Sequence, residues 1–161
     1  MNEKPLTENL LIIGCGDIGQ RLARQISPLG YQTTGLRRST CNDLPYLRYH
    51  QADVTQAEQL QPLLAQQFDV IVISMTPAQR SDEGYKNAYV DSCKQLIASL
   101  DQQAFKPRLI LFVSSTAVYS QNDGSWVDES SPAQPESFSG KRLLEAERVI
   151  RDSGYCSSIV P

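Results

Sequence analysis

The sequence has one histidine, His50, and one tryptophan, Trp126, in 161 residues. A lone imidazole with no second ligand nearby gives no basis for a metal centre, so His50 reads as a structural or surface residue. Four cysteines are present, Cys15, Cys41, Cys93 and Cys156. Their spacing fits neither a paired metal motif nor a compact disulfide framework. No apolar run approaches membrane-spanning length, which argues against a membrane partner. The start, Met1 to Asn9, is polar and mixed in charge, unlike a secretory signal. Formal net charge is −3 and the pI about 5.1, so no basic footprint for nucleic acid exists. Repeats, linkers and low-complexity segments are absent too. What remains is an ordinary globular composition, 40% hydrophobic and 20% charged. It is expected to form one domain over residues 1–161 and to reside in the cytoplasm.

The most informative stretch is Leu-Leu-Ile-Ile-Gly-Cys-Gly-Asp-Ile-Gly, residues Leu10 to Gly19. An apolar run of strand length enters Gly14-x-Gly16-x-x-Gly19, and a helical pattern follows at once. A dinucleotide's pyrophosphate needs this arrangement. One glycine makes the tight turn, the second lets backbone approach the phosphates, and the third lets helix and strand pack closely. The helix start, at Asp17 and Ile18, offers unpaired N–H groups and a positive dipole end. Ile18, Leu22 and Ile26 recur at four-residue spacing and are expected to form the buried face. Cys15, inside the turn, is expected to be a small filler, and Cys93, on a helical apolar stripe, a core residue.

Strands and helices alternate along the rest of the chain. Tyr31 to Gly35, Tyr46 to Gln51, Asp69 to Ser74, Arg108 to Val113 and Tyr155 to Val160 read as further strands. Thr55-Gln-Ala-Glu58 reads as a capping box opening a helix in which Pro62 sits awkwardly. Longer helices are expected over Asp82 to Asp101 and Ser137 to Ser153, with a polar loop from Ser114 to Gln134. Near-continuous apolar strands imply burial on both faces. The predicted fold is therefore α/β, a doubly wound parallel sheet of the Rossmann NAD(P)-binding type.

An NAD site places an acidic residue about 20 positions after the glycines, to bind ribose hydroxyls. Here that region is Thr33-Thr34-Gly35-Leu36-Arg37-Arg38-Ser39. Two arginines stand where a carboxylate would, and guanidinium groups suit a ribose 2′-phosphate. NADP is expected, with NAD as the alternative.

With these pieces placed, the chain resembles the extended short-chain dehydrogenase/reductases, the NAD-dependent epimerase/dehydratase family, along nearly its whole length. Gly14-Cys-Gly-Asp-Ile-Gly19 is similar to the family's cofactor loop. Ala52-Asp53-Val54 resembles the segment near the adenine. Ser74-Met75-Thr76-Pro77 stands where the fourth strand meets the nicotinamide ribose. Phe112-Val-Ser-Ser-Thr-Ala-Val-Tyr119 resembles the fifth-strand motif, and Trp126-Val-Asp-Glu129 the loop after it. Gly140-Lys141-x-Leu143-Leu-Glu-Ala-Glu147 resembles the catalytic helix. The resemblance implies that Asp53 and Val54 meet the adenine, that Ser74 and Met75 border the cofactor, and that Ser115 and Lys141 face the nicotinamide end.

Two departures from the family stand out. The family uses a Tyr-x-x-x-Lys pair on the last helix, and that pattern occurs nowhere here. Aligning on Lys141 puts Ser137 at the tyrosine's place, and the family's asparagine on the fourth helix is Tyr89. A serine hydroxyl is a far poorer acid than a phenol and cannot simply replace it. Lys141 reads either as a ligand of the nicotinamide ribose or as an exposed helix lysine. Tyr119 reads either as a substitute phenol or as a structural aromatic, and Trp126 either as a substrate contact or as a pin for its loop. Further, the extended family continues past the sixth strand into a substrate domain that this sequence lacks. Either the chain is an incomplete copy of a longer enzyme or the cofactor domain is used alone.

Two functions fit. One is an atypical oxidoreductase or epimerase acting on a hydroxyl or carbonyl of a small molecule, such as a nucleotide sugar. The other is a non-catalytic module that senses NADP(H) for a protein partner. The family often pairs through its fourth and last helices, so a homodimer is a further expectation.

Overall fold

The alternation of short apolar runs with helical stripes produces one parallel sheet. The computed structural model describes residues 7–121 and 123–161. The strands are β1 (Asn9–Ile13), β2 (Gln32–Arg37), β3 (Arg48–Gln51), β4 (Val70–Ile73), β5 (Leu109–Val113) and β6 (Ser157–Val160). All pairings are parallel, in the order β3-β2-β1-β4-β5-β6. That is the order of the doubly wound dinucleotide-binding fold, with its topological switch between β1 and β4. The helices are α1 (Asp17–Ile26), α2 (Ala57–Leu64), α3 (Asp82–Tyr85), α4 (Ser92–Asp101) and α5 (Phe138–Arg151). No helix among the described residues is long and apolar enough to cross a membrane.

Alternation along the central strands sends side chains to both faces. Leu11, Ile13, Ile71, Ile73, Ile110 and Phe112 join Leu60, Leu96, Leu143 and Ile150, from α2, α4 and α5, in the larger core. Leu10, Ile12, Val70 and Val72 meet α1 on the other face. Cys93 lies in the larger core, as expected, and Cys15 in the smaller.

Three local expectations change. The buried residues of α1 are Gly19 and Ala23, whereas Ile18 is 60% exposed. The helix approaches β1 so closely that a Cβ on Gly19 would lie 2.8 Å from Cys15 Sγ and 2.9 Å from Ile12 Cγ2. Small residues therefore make the closest contact and Ile18 is turned outward, while Leu22 and Ile26 pack half-buried on the smaller core as expected. The capping box does not form either. Thr55 turns back to donate its hydroxyl to Asp53 Oδ1 at 2.7 Å, and α2 starts after Gln56 with no side-chain cap. Pro62 lies inside α2 without ending it. Finally, the helix expected over Asp82 to Asp101 is continuous but changes pitch, because Lys86–Asp91 between α3 and α4 is π-helical.

Candidate functional site

The glycine turn, the ends of β2 and β3, and the exit of β4 surround one cavity of about 550 Å³. It sits at the carboxyl ends of the strands, by the switch point, where open parallel sheets bind their ligands.

Its floor is the glycine turn. Gly14 has φ +76°, and a Cβ there would lie 2.6 Å from the Ser74 carbonyl oxygen. Only glycine fits that conformation and that approach. The N–H groups of Gly14 and Cys15 both donate to the Leu36 carbonyl, at 3.0 and 3.1 Å, which ties the turn to β2. Gly16 lines the cavity, and a Cβ built on it meets nothing within 4 Å. Gly16 is the N-cap residue of α1 and no side chain caps the helix, so its first-turn N–H groups remain for an anion. Beneath the turn, burial pushes the Cys15 thiol from 9.0 up to about 11.

The end of β2 supplies Arg37, Arg38 and Ser39. Arg37 Nε donates to Ser39 Oγ at 3.0 Å, and its guanidinium carbon lies 5.9 Å from the centre of the Tyr49 ring. These two contacts orient it at the rim. Arg38 is exposed, held through its backbone carbonyl, which accepts from Gln51 Nε2 at 2.9 Å. Next come Ala52, Asp53 and Val54. Asp53 Oδ1 accepts from both the N–H and the hydroxyl of Thr55, leaving Oδ2 without a protein partner among the described residues. The far wall is Met75 at the β4 exit with Glu83, Gly84 and Asn87 of the following helix. Tyr89, at the family's asparagine position, donates its hydroxyl to the Met75 carbonyl at 3.2 Å.

Of the residues expected at the cofactor, the cavity gathers Gly14, Gly16, Arg37, Arg38, Asp53, Val54 and Met75. Asp17, Ile18 and Gly19 form the first turn of α1 and do not line it. The Asp17 carboxylate pairs with Arg21 at 2.9 Å, and Gly19 is a packing residue. Ser74 is buried behind Gly14.

The three residues expected at the reaction do not line the cavity either. Ser115 uses its hydroxyl to accept from the Ala117 N–H at 3.2 Å, capping a short 3-10 turn. Tyr119 packs half-buried on the larger core. Lys141 is exposed on α5. Ser137 caps α5, accepting from the Gly140 N–H at 3.2 Å. Trp126 is 99% exposed and neither pins its loop nor reaches the cavity. Sequence reasoning missed Glu83 and Asn87. Their signal was a polar pair at four-residue spacing, opposite Tyr85 and Tyr89 on the same helix.

Comparison with known proteins agrees with the family resemblance and with the fold. A model of the NAD dependent epimerase/dehydratase family matches residues 10–146. Protein YeeZ of Escherichia coli K12 is 32% identical over 149 residues, 87% of this chain and 52% of YeeZ. A solved Methylobacillus flagellatus protein, described as an NAD-dependent epimerase/dehydratase, superposes with a TM-score of 0.78 at 34% identity. It covers 94% of this chain and 52% of its own. The UDP-Glc/GlcNAc 4-epimerase of Campylobacter jejuni shares the fold, with a TM-score of 0.80 at 21% identity over 94% of this chain and 52% of that one. The chain thus spans about half the length of the relatives it matches. With a family model matched over residues 10–146, this chain belongs to the NAD dependent epimerase/dehydratase family.

Proposed function

We propose that the cavity binds NADP(H), and that the chain serves an epimerase, dehydratase or reductase reaction at a hydroxyl or carbonyl of a nucleotide sugar. One observation carries the cofactor reading. The cavity joins the glycine turn to Arg37, Arg38 and Ser39, with no carboxylate at the end of β2. The residues fit a dinucleotide. Gly16 leaves open space where a side chain would project, and the uncapped start of α1 offers N–H donors to a pyrophosphate. The arginines would hold the 2′-phosphate, and Asp53 and Val54 the adenine. When bound, the nicotinamide would donate or accept a hydride. The nucleotide-sugar class comes from relatives such as the Campylobacter 4-epimerase. Cytoplasmic residence and a homodimer belong to the same reading.

A second reading, a module that senses NADP(H) for a protein partner, is favoured by the reaction end. Ser115, Tyr119 and Lys141 lie outside the cavity lining, and Ser137 is engaged in capping. In the catalytic reading Ser115 orients the substrate, Lys141 binds the nicotinamide ribose, and Tyr119 or water supplies the acid.

Calorimetric titration with NADPH and NADH tests the proposal. Tighter binding of NADPH supports it, and no binding of either cofactor overturns it. NADPH consumption over a panel of aldehydes, ketones and nucleotide sugars then separates the two functions. Turnover that survives Ser137→Ala and is lost in Ser115→Ala supports catalysis. Tight binding with no turnover supports sensing.

A further inference from the structure

The far wall of the cavity is formed by the start of the helix over Asp82 to Asp101. Helix α3 is its first turn, and the π-helical Lys86–Asp91 separates that turn from α4. Ser81 caps it, accepting from the Gly84 N–H at 3.1 Å. One side presents Glu83 and Gly84 to the cavity, followed by Asn87 on the π-helical stretch. The opposite side rests on α5. Tyr85 packs edge-on against Phe138, with ring centroids 5.6 Å apart at 89°. One turn further along α5, Arg142 grips Asp82 with two hydrogen bonds, Nε to Oδ1 and Nη2 to Oδ2, both 2.8 Å. Its remaining Nη1 donates to Glu145 at 2.9 Å, which aims the guanidinium.

Most surface ion pairs contribute little, but this one has the geometry that does contribute. It is bidentate, and the Arg142 side chain is only 28% exposed. It also joins elements 60 residues apart in sequence, so it fixes tertiary structure rather than a helix surface.

We infer that Arg142 is a positioning residue for the cavity. Through Asp82 it holds α3 against α5, and so sets where Glu83, Gly84 and Asn87 stand. The inference rests on the proposed dinucleotide reading of that cavity. It gives α5 a different task from supplying a Tyr-x-x-x-Lys pair: its first turns brace the wall.

Two measurements test it. Amide hydrogen exchange on the free protein needs no cofactor. Arg142→Met and Asp82→Asn should each speed exchange over residues 81–88, leaving β1 unchanged. NADPH titration should show both variants binding roughly three- to tenfold more weakly. The charge-exchanged double variant Asp82→Arg with Arg142→Asp should return to within about twofold of wild type on the same scale. Glu145→Gln keeps an acceptor for Arg142 Nη1 and leaves the Asp82 contact in place, so it should move both readouts less than either single variant. Unaltered exchange or affinity in both single variants overturns the inference. So does a double variant no better than the singles, or a Glu145→Gln effect as large as theirs. A wild-type protein that binds no NADPH defeats the dinucleotide reading instead, and the exchange measurement still decides whether the pair holds α3.

Discussion

The sulfur of Cys15 occupies the space that a side chain at Gly35 would need. A Cβ built on Gly35 would lie 2.7 Å from Cys15 Sγ. Gly19 is constrained by the same sulfur from the helix side, at 2.8 Å. The thiol is thus a wedge between α1 and β2, and burial holds it protonated, up to about 11. Native protein at pH 8 should react with a thiol reagent only at exposed Cys41 and Cys156. Cys15 and Cys93 should react only after unfolding, as peptide mapping of the modified sites would show. Rapid native modification of Cys15 would contradict the packing.

The two buried thiols also set an alkaline limit. Folding raises Cys15 from 9.0 to about 11 and Cys93 from 9.0 to about 12. The unfolded chain therefore releases these protons first. The stabilisation is complete below pH 9 and is lost as pH rises through about 11 and then about 12. The thermal midpoint should fall from pH 9 upward, and the fall should be shallower in Cys93→Ala.

Gly14 and Gly16 should separate stability from binding. Gly14→Ala forces a side chain into a left-handed conformation and onto the Ser74 carbonyl, and should cost about 1–3 kcal/mol of stability. At Gly16 a Cβ meets no atom within 4 Å, so Gly16→Val should leave the fold intact while abolishing cofactor binding. Chemical denaturation and cofactor titration on the two variants check this. Unchanged affinity in Gly16→Val would refute the pyrophosphate assignment.

Replacing Arg37 and Arg38 together with Ala should weaken NADPH by about 1–3 kcal/mol and NADH much less. Equal losses would show that the pair does not read a 2′-phosphate. Ser39→Ala, which removes the partner of Arg37 Nε, should give a smaller loss in the same direction.

Ser137→Ala should lower stability by about 1 kcal/mol through loss of the α5 cap, a shift of roughly 2–4 °C in thermal midpoint. Cofactor affinity should not change. A loss of affinity without a loss of stability would restore Ser137 to the site.

The sheet was legible in the sequence because strand burial on two faces leaves unbroken apolar runs. Val70 to Ile73 is the plainest case, buried at every position. The glycine turn was legible because its constraints act on adjacent residues. The buried face of α1 was legible only in part: Leu22 and Ile26 pack on the smaller core, but the same spacing marks the exposed Ile18, whereas close approach to β1 selects Gly19 and Ala23. Thr55 looked like a cap, yet its hydroxyl has a competing partner in Asp53, two residues away. The π-helical stretch carries no composition signal. At the site, the residues contributed by strand ends were readable from order along the chain. The Arg142 to Asp82 pair was not, because it depends on how α3 and α5 meet in space.

The strand order has a consequence for how ligand and chain depend on each other. Its switch point divides the sheet into β3-β2-β1 and β4-β5-β6. Gly14, Arg37 and Asp53 come from the first half, Met75, Glu83 and Asn87 from the second. A molecule in that seam touches both, and no single half can hold it. Occupancy therefore acts as a strap across the β1–β4 junction. By linkage, free ligand at a hundred times its dissociation constant would add about 2.7 kcal/mol to stability.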